Sequence, residues 1–140
     1  MAVFCSHSFS PVAVTPDELG EAWKNGKLQL TLDTSINREK IGQLQTGSDL
    51  LFSFPSLIAS LCADRAIHAG TILSTGTVSN ADAKKGFASI FEKRLYESSQ
   101  ALPATDFLKF GDQIKIDITD KHSKSIFGAI EQSVVEYSKN

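Results

Sequence analysis

The sequence predicts a mainly β domain carrying two short helices, and three observations lead there. Leu28, Leu30 and Leu32 alternate with Gln29, Thr31 and Asp33, which is the period of a half-buried strand. Ile114, Ile116 and Ile118 alternate in the same way later in the chain. Pro16 and Pro55 each open a short apolar stretch of helical spacing, where a missing N–H costs nothing.

Taken in order, the first helix is expected from Thr15, which can cap it, with Pro16 at the first helical position and Glu18 where a capping box needs its carboxylate. Leu19, Ala22 and Trp23 share its face, and Asn25-Gly26 ends it. After the Leu28–Leu32 strand, Asn37 to Lys40 reads as a turn. The second helix runs from Pro55 to about Cys62, with Leu57, Ile58 and Leu61 on one face. Thr71 to Thr75 reads as a strand, and Gly86 to Glu97 as a longer one through Phe87, Ile90 and Phe91. The polar stretch Asp120 to Lys124 then turns the chain from Ile114–Ile118 into Ser125–Val135. Ile126, Phe127, Ala129 and Ile130 predict that this last strand is buried on both faces and closes a hairpin. No repeat or linker divides the chain, so residues 1–140 read as one domain.

Composition narrows the function classes. The chain has 140 residues, 41% hydrophobic and 21% charged, with a net charge of −2, which suits one domain with a modest core. Fourteen basic and sixteen acidic residues without long runs of one sign give no footprint for a nucleic-acid backbone or an anionic membrane. The stretch around Leu50 to Cys62 is too short to span a bilayer, and Met1 to Phe4 lacks a signal peptide's charged and apolar regions. A cytoplasmic location is expected. Cys5 and Cys62 have neither metal nor redox spacing and read as free, inert thiols of the buried kind. His7, His68 and His122 are scattered and read as surface or packing residues.

Four segments in order resemble the C-terminal part of the fumarylacetoacetate hydrolase family, in particular its bacterial fumarylacetoacetase-like members. They are Phe9 to Gly20 (Phe-Ser-Pro-Val-Ala-Val-Thr-Pro-Asp-Glu-Leu-Gly), Phe52 to Ala59, Gly70 to Asn80 around Gly76-Thr77, and Phe107 to Asp112 together with Ser125 to Ile130. The resemblance covers Phe9 to Glu136. It implies a partial β-roll of mixed and antiparallel strands, and commonly a dimer. It also implies hydrolysis of a carbon–carbon bond in β-diketo or oxo acids with magnesium, manganese or calcium, the metal acting as Lewis acid on the keto oxygens.

Two positions carry over residue by residue. Thr77 matches the family's Gly-Thr motif, whose threonine contacts the substrate's oxygens, and Gly76 beside it would let backbone approach the ligand. Without the family, the same pair reads as an ordinary strand-end turn. Glu92, in Ser89-Ile90-Phe91-Glu92, matches the glutamate that orients a water-activating histidine. The bland alternative is a solvated Glu paired with Lys93 or Arg94 of a neighbour. The family's histidine lies upstream of the matching region, so none of the three histidines here corresponds to it.

The family's metal ligands, an Asp, a Glu-x-Glu pair and an Asp followed by Arg, also precede the Ser-Pro-Val-Ala-Val segment. None of Met1 to Phe9 is acidic, and no Glu-x-Glu occurs. Phe4 falls about where the family has its lysine. Asp17, Asp49, Asp82, Asp112 and Asp117 belong to no family metal motif, so no cofactor or metal site is expected in this chain alone. The expectation is a truncated domain, inactive by itself, whose exposed strand edges favour a homodimer or a complementing upstream chain. The alternative is a non-catalytic binding module or structural remnant acting as an oligomer.

Overall fold

In the computed structural model, residues 7–136 are described. Cys5 and Phe4 lie outside them. The fold is mainly β with two helices, arranged as two antiparallel sheets that do not close into a barrel among the described residues, consistent with a partial β-roll.

The small sheet pairs β1 (Trp23–Lys24) with β2 (Lys27–Leu28). Asn25 and Gly26 turn between them at φ of 54° and 68°, the left-handed pair that suits the twist of a two-residue hairpin. The main sheet has β3 (Thr31–Ile36), β4 (Glu39–Gln45), β5 (Gln113–Thr119) and β6 (Ile130–Ser133) in the order β4-β3-β5-β6, every pair antiparallel. Its core is a row across three strands: Leu44 and Ile118 stand opposite Leu32. Leu30, Leu32 and Leu44 are the buried apolar side chains among the described residues, Leu44 completely.

The described residues form two α-helices, α1 (Phe54–Cys62) and α2 (Ile90–Ser99). Ser53 caps α1 by accepting from the Ser56 N–H, and Pro55 stands in the first turn as the sequence predicts. The Phe54 N–H donates to the Gly26 carbonyl at 2.9 Å, and Phe54 stacks on Trp23. This docks α1 on the small hairpin.

Six expectations need correction. The helix from Thr15 is absent: Pro16 to Leu19 form turns, and one 3₁₀ turn over Gly20–Ala22 leads into β1. Gly20 there has φ of 50°, which an α-helix cannot hold. The expected turn Asn37 to Lys40 is only Asn37-Arg38, and Glu39 already begins β4. Gly86–Glu97 is not a strand, because Ser89 accepts the Glu92 N–H at 3.1 Å and starts α2. Thr71 to Thr75 forms no ladder; β propensity there has no strand to pair with. The last strand is only β6, mostly exposed rather than buried on both faces, although it does form a hairpin with β5. Cys62 is free but exposed, not buried.

Candidate functional site

The segment leading from Gly76 to Asn80 is irregular backbone held against the edge of β4. Asn80 does the holding, accepting the Gln45 N–H at 2.8 Å and donating to the Gln45 carbonyl at 3.0 Å. A side chain thus completes the strand edge as a neighbouring strand would. Asp49 adds a second tie by accepting the Ala81 N–H at 3.1 Å.

Thr77 consequently lines a cleft of about 240 Å³ between this segment and the chain that leads into α1. Thr75 and Ser79 share its polar side with Thr77 and Asp49. Its apolar lining comes from Leu50, Leu51, Phe52, Leu57 and Val78. Thr46 also borders it, but its hydroxyl is committed to the Leu28 carbonyl at 2.6 Å and to the Leu30 N–H at 3.1 Å. Gly76 adjoins the cleft in sequence without lining it; it sits at φ of 85°, and the space its missing Cβ would occupy is open.

Glu92 comes to the same place from α2. The Ser79 hydroxyl donates to Glu92 Oε1, while Glu92 Oε2 is buried with no hydrogen-bond partner among the described residues. A buried carboxylate oxygen without a donor is costly, of the order of 1–3 kcal/mol, so it marks a place where a donor is wanted. Its position at the first turn of α2 favours the negative charge. Lys93 and Arg94 of the same helix turn instead to Thr105, in the loop that follows α2.

That loop fixes the helix. Glu97, only 8% exposed, accepts from the Thr105 N–H at 2.7 Å and the Thr105 hydroxyl at 2.6 Å, with Lys93 Nζ at 3.4 Å. The Thr105 bonds, hydroxyl first, and then the nearby Lys93 charge hold the Glu97 carboxyl below the usual glutamate range. Arg94 donates to the Thr105 carbonyl and stacks over Phe107 at 4.3 Å.

The structure therefore brings Thr77 and Glu92 together through Ser79, a link the sequence reading did not contain. Ser79 and Asn80 belong to the Gly76-Thr77-Val78-Ser79-Asn80 run, but their partners lie 13 and 35 residues away. Nothing local signals them. His7, His68 and His122 are exposed, and none donates to Glu92.

A divalent cation does not fit the residues present. No three His, Cys, Asp or Glu side chains converge among the described residues. Among the described residues Asp49 is the one carboxylate lining the cleft; away from it, Asp82, Asp112 and Asp117 are engaged by the Lys84 N–H, by Asn37 and by Ser125 respectively. One carboxylate and a few hydroxyls fall short of the oxygen shell a hard cation requires.

Compared with known proteins, a protein-family model described as fumarylacetoacetate (FAA) hydrolase C-terminal matches residues 4–135. No curated protein matches the chain.

Proposed function

Because the chain belongs to the fumarylacetoacetate hydrolase family, matched in its C-terminal domain, we propose that it supplies the substrate-contacting and base-orienting side of a site that hydrolyses a carbon–carbon bond in β-diketo or oxo acids. The observation that carries this reading is Glu92, with one oxygen held by Ser79 beside the Thr77 cleft and the other buried without a donor.

An imidazole N–H is the donor that such an oxygen suits. A histidine held there has its tautomer fixed and its cation stabilised, so that it can take a proton from water. The hydroxide adds to a keto carbon, and the bond to the neighbouring carbon breaks as an enolate leaves. Thr77 donates its hydroxyl to the substrate carboxylate. Both the histidine and the ligands of the divalent metal on which the family generally depends come, on this reading, from polypeptide beyond the described residues. These residues by themselves form no metal site and are inactive. Gly76 allows the chain its turn into Thr77. A cytoplasmic location accompanies this reading; no helix of the described residues is long and apolar enough to cross a membrane.

Titration of ¹⁵N-labelled protein with a short 2,4-dioxo acid tests the substrate contact. Shifts centred on Thr77 and Ser79, weakened in Thr77→Val, are expected. Shifts confined to surface lysines would contradict the assignment. A second reading, an oligomeric binding module without catalysis, is favoured by the small core of Leu30, Leu32 and Leu44; it shares the ligand contact and lacks turnover in any assembly.

A further inference from the structure

Resting on the reading of Thr77 and Glu92 above, we propose that the cleft beside Thr77 selects substrates by their tails: it takes an uncharged apolar substituent, and Asp49 turns away a second carboxylate. The lining of the cleft combines apolar side chains with hydroxyls and one carboxylate. Leu51 is 86% and Phe52 60% exposed, so a tail laid between them and Leu57 removes apolar surface from water on both sides. Among the described residues Asp49 is the only charged one lining the cleft. Its Oδ2 is anchored by the Ala81 N–H, which keeps the carboxylate on the wall.

Among the described residues no lysine or arginine lines the cleft to receive a second anion. Lys27, on the adjoining hairpin, donates its ammonium to the Leu50 carbonyl. A dicarboxylate whose head reaches Thr77 therefore carries its far charge into a largely apolar lining that holds a fixed anion. A neutral tail meets neither penalty.

The test is an NMR titration of the ¹⁵N-labelled chain with three compounds of one chain length: a 2,4-dioxo acid with an alkyl tail, the same acid ending in a second carboxylate, and the methyl ketone that lacks the acid head. The alkyl-tailed acid should bind roughly tenfold more tightly than the dicarboxylate and shift Leu51 and Phe52. Asp49→Asn should recover most of that difference for the dicarboxylate. In the unmodified protein the preference should also shrink as salt is raised. Equal binding of the two acids, or a preference indifferent to both salt and Asp49→Asn, overturns the proposal. If the ketone binds the apolar wall as well as the alkyl-tailed acid does, the tail site stands and the role of Thr77 falls. Shifts at the cleft from none of the three overturn both.

Discussion

Glu97 shows what a single buried carboxylate does in this chain. Its bonds to Thr105 tie the loop after α2 back to the helix, and the same bonds depress its proton affinity. A depressed carboxyl stabilises the fold fully above its unfolded value, about 4.3 for glutamate, and the contribution disappears as pH falls through the lower folded value. Glu97→Gln should therefore lower the urea midpoint at pH 7, and the gap to the parent protein should narrow below about pH 4. Parallel pH curves for the two proteins would show that Glu97 is not the group responsible. Asp112 and Asp120 are depressed as well, by Asn37 and by the Lys124 N–H, so only the difference between the two proteins isolates Glu97. Thr77 and Glu92 were singled out through a family motif, whereas Ser79, Asn80 and Thr105 act through contacts that no local pattern encodes.

The legibility of each element depended on whether its periodicity had a competitor. The alternating isoleucines of β5 had none, and β5 formed where the pattern places it. In α2, Phe87, Ile90 and Phe91 imitate a strand, but Ser89 and Glu92 form the spacing that starts a helix, and the helix prevailed. Ser89→Ala should destabilise the protein by about 1 kcal/mol and loosen the first turn of α2. Because Glu92 sits in that turn, amide exchange at Glu92 and Lys93 should accelerate more than exchange in β5; a uniform change would separate the cap from the site. β4 escaped the sequence reading for a different reason. It carries Gly42 where a Cβ would lie 2.4 Å from the Phe87 carbonyl oxygen, so close approach of the 86–87 segment replaced the apolar residue that would have signalled a strand.

For the whole molecule, surface area is the telling quantity. A compact monomer of 15.2 kDa exposes about 7,100 Å², whereas this chain exposes 10519 Å². The excess of roughly 3,400 Å² is larger than the roughly 1,000–2,500 Å² that one partner contributes to an obligate interface. It includes Leu51, Ile72, Phe91 and Phe110, all well exposed. In the sheet, β4 is covered along part of its outer edge by Asn80 and the Gly42–Gly86 bridge, while β6 is short and mostly exposed. Sedimentation at rising concentration should show dimers or larger species, and a 15.2 kDa monomer throughout would mean that the apolar surface is tolerated. The sequence could announce the strands but not this openness, since periodicity reports which face is apolar and not what covers it. The most direct test of the proposed site is hydrolysis of a 2,4-dioxo acid, with manganese present, by the chain alone and by the chain mixed with a polypeptide bearing the family's histidine and carboxylate ligands. No turnover by the chain alone is expected, with turnover in the mixture reduced about 10²- to 10⁴-fold by Glu92→Gln; turnover in the mixture undiminished by both Glu92→Gln and Thr77→Val would contradict it.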